Sequence, residues 1–190
     1  MYIKMFFLLA PFFSISIFLK MSDSMDAQNR RRAAMRASFA TLTAISICFF
    51  FGKPLFHVLG ITLAAFQIGA GTTLFLTSVM LVLGLRGQPF SGDEDFSVVP
   101  LSLPIIVGPG TIGTLMVWAA QASGFQEQVK LFIPIFCGGL TMGIFLLLAE
   151  QIQKLLGNKT MAVLTKLTAL ILTALAAQIV FTGIHTFSVK

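Results

Sequence analysis

Pro100-Leu-Ser-Leu-Pro104-Ile-Ile-Val-Gly108-Pro109-Gly110-Thr111-Ile-Gly113-Thr114 decides how this chain is to be read. The passage lies in a charge-free run from Phe96 to Gln126, long enough to cross a bilayer. Its prolines interrupt that run, because each lacks a backbone N–H and clashes with the carbonyl four residues earlier. Gly108 and Gly110 flank Pro109, so the backbone there can leave helical angles without a Cβ penalty. From a start near Val98, Pro109 lies roughly 15 Å into the span, close to the bilayer middle. Unwound backbone at that depth is tolerated only where it is buried in protein or lines a watery cavity. A lone proline would fit a kinked helix with its glycines packed on a neighbour. Gly-Pro-Gly with two further prolines nearby predicts a true break.

A break has a specific chemical consequence. The second half-helix would begin near Thr111 with free N–H groups and the positive dipole end, a place suited to a carboxylate. The first half would end near Ile106 with free carbonyls, suited to an ammonium or a bare cation. An amino-acid zwitterion carries both groups. Ile106, Gly108, Pro109, Gly110, Thr111 and Thr114 are therefore candidate binding residues, the threonines adding hydroxyls. The first span holds a lighter version in Ala10-Pro11-Phe12-Phe13-Ser14-Ile15-Ser16. Pro11 frees a carbonyl there, Ser14 and Ser16 supply hydroxyls, and the two phenylalanines predict a weaker break.

Composition agrees with a bilayer around these segments. Of 190 residues, 56% are hydrophobic and only 11% charged, against about 25% charged in soluble domains. The net charge of +6 is concentrated in one loop, with no soluble basic body to hold nucleic acid. Cys48 and Cys137 sit in apolar runs without metal-ligand spacing, which excludes a disulfide scaffold and a zinc site. An intramembrane enzyme would need a nucleophile with its base, or paired carboxylates, at depth. The apolar runs offer neither, so we expect no enzyme and no cofactor.

Charges punctuate six spans, at about 2–20, 37–58, 62–85, 98–120, 131–152 and 162–185. The fold expected is all-α and integral to the membrane. No small-x-small cleavage site follows the first apolar run, which reads as a span rather than a secretory signal. A polar stretch, 86–97, with Arg86, Gly87, Pro89, Gly92 and Asp93-Glu94-Asp95, separates residues 1–85 from 98–190. Three spans on each side make any repeat inverted. Pro11 answers to Pro109, and the turn at Gly60 to one at Gly157, after which Gln67 and Lys166 enter the third and sixth spans. Inverted three-plus-three repeats are a recurring transporter plan.

Lys20, Arg30, Arg31, Arg32, Arg36, Arg86, Lys154 and Lys159 fall on one side of the membrane, against Lys4, Lys53, Lys130 and Lys190 on the other. The positive-inside rule then puts both termini outside. Glu150 and Lys166 are equidistant from Asn158, so a hairpin there would pair them at one mouth. Lys53 and Gln67, equidistant from Gly60, could meet at the other. Gln67, Glu150, Lys166 and Gln178 are candidates for gating or coupling; His57 and His185 face headgroups.

Val99–Thr114, Gly60–Gly71 and Leu175–Ile184 together resemble the MarC family, membrane proteins that include transporters of small neutral amino acids. The likeness covers nearly the whole chain. This chain has Ala10-Pro11 where the family usually has Asn-Pro, Gln67 and Lys166 where it usually has arginines, and Met80 where an acidic residue often stands. The resemblance implies a bacterial inner-membrane transporter in contact with lipid, moving a small neutral amino acid by alternating access. Its coupling cation, sodium or proton, and its oligomeric state are left open. A non-transporting interaction or assembly protein of the same fold is the alternative, because the first half has lost polar groups.

Overall fold

A computed structural model describes residues 1–84 and 106–188, and every regular element among them is an α-helix. The polar stretch 86–97 and the first half of the fourth span lie outside the described residues. The helices are α1 (Tyr2–Leu8), α2 (Pro11–Met21), α3 (Ala27–Leu59), α4 (Leu63–Leu83), α5 (Pro109–Ala120), α6 (Phe125–Leu147) and α7 (Ala149–Ser188). Five stretches are long and apolar enough to cross a bilayer: Tyr2–Met21, Ala27–Gly52, Leu63–Leu83, Phe125–Leu147 and Ala149–Ser188. At 12 residues α5 reaches only about 18 Å. It is too short to cross a bilayer alone and is buried on nearly all sides.

Several helices run past their sequence-read ends. Charges mark where lipid stops, whereas helices stop where caps and turns stop them. Arginine is a good helix former, so α3 begins at Ala27 and carries Arg30, Arg31, Arg32 and Arg36 in its first turns, ten residues before the expected start. α6 starts at Phe125 instead of 131. α7, Ala149–Ser188, takes in the end of the expected fifth span, the expected turn and the expected sixth span. The turn is at Gly157, whose φ of 73° and ψ of 159° are non-helical and divide α7 into two helical stretches. Gly60, at φ 64°, ends α3. Both positions need glycine, since side chains with a Cβ rarely enter that region. The first span departs further: it is fully broken between Leu8 and Pro11, with Ala10 in the left-handed region at φ 45° and ψ 62°.

Lipid offers helices no hydrophobic reason to associate, so small residues that let backbones approach must hold the bundle together. α4 and α7 run antiparallel in its most extensive contact, with Gly71 against Ala176 and Val180, and Gly183 against Ala64, Gln67 and Ile68. α3 meets α6 where Gly139 faces Leu42 and Ile45. α5 lies on α4 through Gly110 and Gly113, and against α3 at Met116. The first span packs against α6 and α7. Phe39, Phe51, Val58, Leu155 and Phe181 stand exposed on the outside, as lipid-facing bulk would.

Candidate functional site

The break in the first span meets the start of α5. Ala10 of the first span and Gly108, Gly110 and Thr111 of the fourth line one cavity of about 20 Å³, closed by Leu8, Leu74, Leu81, Ile106 and Leu172. That is room for about one water molecule. Each break has freed backbone groups that must find partners in a dry environment. The Ser14 hydroxyl donates to the Leu9 carbonyl at 2.9 Å, and the Thr111 hydroxyl reaches across from α5 to the Leu8 carbonyl at 3.5 Å. α5 starts at Pro109, with Gly108 extended at φ −76° and ψ 173°. Its first N–H to bond within the helix is Ile112, which donates to the Gly108 carbonyl. Among the described residues no acceptor meets the Gly110 or Thr111 N–H, so the helix start keeps two donors and its positive dipole end.

Both features of the glycines hold at once. Gly108 is out of helix, as the break requires, while Gly110 and Gly113 press on α4, as the kinked-helix alternative would have it. A Cβ at Gly110 would sit 2.9 Å from the Leu74 backbone.

Ala10 is the one non-glycine in the left-handed region among the described residues. Placing a Cβ there costs roughly 1–2 kcal/mol, and such strain collects at functional sites. Ala10→Gly is expected to raise stability by about 1 kcal/mol, since glycine carries no such penalty. The midpoint of thermal unfolding in detergent measures it, and a lower midpoint would contradict the strained geometry.

Wider cavities lie on either side of this constriction. Toward Met1, a cavity of about 210 Å³ shares Leu8 and Leu74 with the central one and is lined by Lys4, Gln67, Thr114, Trp118, Gln121 and Gln178. Gln67 is only 3% exposed, and its Oε1 has no hydrogen-bond partner among the described residues. The Thr114 hydroxyl donates to the Gly110 carbonyl at 2.8 Å. Toward the arginine end, a cavity of about 360 Å³ shares Leu81 with the central one and is lined by Ser16, Gln153, Asn158 and Lys166. Ser16 and Gln153 continue it into a space of about 380 Å³ between Lys20, Asp23, Arg30, Glu150 and Lys154. A file of cavities thus runs through the bundle and narrows where the breaks cross.

Most of the sequence-read residues fall along that file. Pro11 and Pro109 open α2 and α5, and Ile106, Gly108, Gly110 and Thr111 gather at the constriction. Thr114, Gln67 and Gln178 come together on the Met1 side. Ser14 is buried and turned to its own backbone; Ser16 donates to the Phe12 carbonyl and faces the arginine-end cavities rather than the break.

The expected Glu150–Lys166 pair is not formed. Glu150 opens α7 beside the start of α3, and its carboxylate is taken by Arg30. Glu150 and Lys166 fall in the two stretches of α7 on either side of Gly157, and Lys166 lines the cavity it shares with Gln153 and Asn158. Arg30 also donates to the Ser22 and Met25 carbonyls, at 3.0 and 3.2 Å, so it ties the α2–α3 loop to α7. The Lys53 and His57 side chains lie outside the described ones. Sequence reading gave Lys4 and Arg30 only a topological role, because nothing in a linear charge count reveals which helix ends meet.

The family model described as MarC family integral membrane protein matches residues 1–188. The UPF0056 membrane protein MJ1677 of Methanocaldococcus jannaschii is 29% identical to this chain, over 96% of it and 93% of the relative. The UPF0056 membrane protein YvbG of Bacillus subtilis is 28% identical, over 96% of this chain and 92% of its own. A UPF0056 membrane protein of Aquifex aeolicus is 26% identical, over 96% and 90%. No solved structure matches the chain. With matching helices that are apolar and long enough to span lipid, the chain is a multipass integral membrane protein and belongs to the MarC family.

Proposed function

We propose that the protein carries a small zwitterion, a neutral amino acid by its chemistry, across the bacterial inner membrane by alternating access between two inverted three-helix repeats. The crossing of the two breaks, with wider cavities on both sides and a closed point between them, carries this reading. At that point a carboxylate would take the free Gly110 and Thr111 N–H groups. An ammonium would displace the Ser14 and Thr111 hydroxyls from the Leu9 and Leu8 carbonyls.

Helix partners support the repeat. α3 packs on its counterpart α6, and α4 on its counterpart α7. The first span packs on α6 and α7, while α5 packs on α3 and α4, so each half's broken span sits on the other half's intact ones. A two-fold axis in the membrane plane generates this pattern of partners. Rocking of one half on the other would open the constriction to one side at a time. The basic residues of α3 and α7 favour the arginine end in the cytoplasm and both termini outside. A coupling cation, sodium or proton, would use the same freed carbonyls, since no carboxylate stands near a helix centre.

The test places single cysteines at Thr114 and at Ser16, one in each wide cavity, in a chain with Cys48 and Cys137 replaced. Reconstituted in liposomes, the two are expected to react with an impermeant thiol reagent from opposite sides. L-alanine should change their rates in opposite senses and accumulate inside the liposomes. Rates that do not respond, with no uptake, would leave the non-transporting role of the same fold.

A further inference from the structure

The Met1-side cavity holds a combination that the transport reading does not use. Lys4 and the amide of Gln67 share its wall, with Thr114, Gln121 and Gln178 beside them, and among the described residues no carboxylate lines it. Among the described residues Lys4 has no acidic partner; the ion pair found there joins Arg30 to Glu150 at the opposite end. The cavity is therefore electropositive. Gln67 is nine-tenths buried and more, yet its Oε1 is shut off from solvent without a donor. Native proteins seldom leave a buried amide oxygen unpaired. A half-turn about χ3 exchanges the oxygen and nitrogen, so the side chain can offer the cavity an acceptor as readily as a donor.

We propose that this cavity is a recognition site for a zwitterion, in which Lys4 holds the carboxylate and the Gln67 amide accepts from the ammonium. It is a first docking site, separate from the constriction below it, and it rests on the transport reading only for the choice of solute. Its space, about 210 Å³, suits a solute far smaller than a drug-sized ligand. A lone cation would be repelled by Lys4, and a simple carboxylate would leave the Gln67 oxygen unsatisfied. Both charges on one small molecule fit the wall. Gln67 thereby sets specificity for an amine over its absence, and Lys4 for a carboxylate.

Trp118, the chain's one tryptophan, lines the same cavity and reports binding directly. The experiment titrates the purified full-length chain with L-alanine, propionate and ethylamine, following Trp118 emission. Alanine is expected to bind at least about tenfold more tightly than either single-charge analogue, since each loses a charge-assisted hydrogen bond. Gln67→Leu should erase the preference for alanine over propionate while keeping alanine over ethylamine. Lys4→Gln should do the reverse, and Lys4→Arg should restore it. Helical circular dichroism and elution volume show that each variant is folded, and Gln67→Met stands in should the leucine variant fail.

Equal affinities for the three solutes, no response at Trp118, or preferences unchanged by both substitutions would overturn the proposal. Liposome uptake separates it from the transport reading. Alanine binding with these preferences but no uptake keeps the recognition site and removes the carrier. Uptake without any Trp118 response keeps the carrier and removes the site.

Discussion

Gly113→Ala is expected to destabilise the folded protein by about 1–3 kcal/mol, the usual cost of forcing a methyl into a closed interface. A Cβ at Gly113 would lie 2.4 Å from the Cβ of Ala70 and 3.2 Å from its Cα. Backbone cannot swing aside as the end of a long side chain can, so α5 would have to lift off α4. That contact matters more than one methyl suggests. α5 is a short helix buried on nearly all sides, and its N-terminal turn forms one wall of the constriction. Ala70→Gly alone removes a methyl and adds backbone freedom inside α4, about 1 kcal/mol in a helix. The double variant, Ala70→Gly with Gly113→Ala, transfers the methyl from one helix to the other and should recover most of the loss. A double-mutant cycle of unfolding in mixed micelles reads this as a coupling energy of at least about 1 kcal/mol. Additive single effects would mean that α4 and α5 do not touch at this pair.

The same pair of helices shows what the chain's residues disclose before any coordinates. Charge-free runs and their lengths revealed the membrane and the approximate spans, because burial of charge in lipid is costly wherever it occurs. Pro11 and Pro109 located the starts of α2 and α5, since a missing N–H is a local fact. The severity of the first break was not legible. Phe12 and Phe13 suggested the weaker of two breaks, yet Ala10 is held left-handed, and the α5 start packed against it supplies the hydroxyl that covers the Leu8 carbonyl. Glycine roles were also ambiguous. Gly108 is free backbone while Gly110, two residues on, is a contact surface, and no pattern along the chain tells the two apart. Pairings between distant residues were the least legible. Symmetry about Asn158 suggested Glu150 with Lys166, but the partner, Arg30, comes from a helix that begins among charges and was read as a loop. The Lys4–Gln67 wall is of the same kind, assembled from α1 and α4 with α5 and α7 beside them, and no linear signal comes with it.

Thr111→Val is expected to lower uptake about tenfold or more while leaving the bundle assembled. The substitution keeps the shape of the side chain and removes one hydroxyl, so the α5 start can still pack as before. What it removes is a side-chain link from the α5 start to the break in the first span, from the Thr111 hydroxyl to the Leu8 carbonyl at 3.5 Å. A buried carbonyl left without its donor costs about 1–3 kcal/mol, and at a long bond the lower figure applies. Stability should therefore fall by about 1 kcal/mol, too little to unfold a domain of ordinary stability. Transport should suffer more than stability does. The hydroxyl sits where the solute's two charged groups would be handed from one set of backbone dipoles to the other, and a transition state that has lost one good hydrogen bond is slower by roughly tenfold. Thr111→Ser keeps the hydroxyl and sheds only a methyl, so it should transport far better than the valine variant despite poorer packing. That order, serine above valine in uptake but not in stability, separates chemistry at the crossing from a merely structural contact. If valine transported as well as threonine, the meeting of the two broken spans would be a packing arrangement, and the solute would have to cross elsewhere.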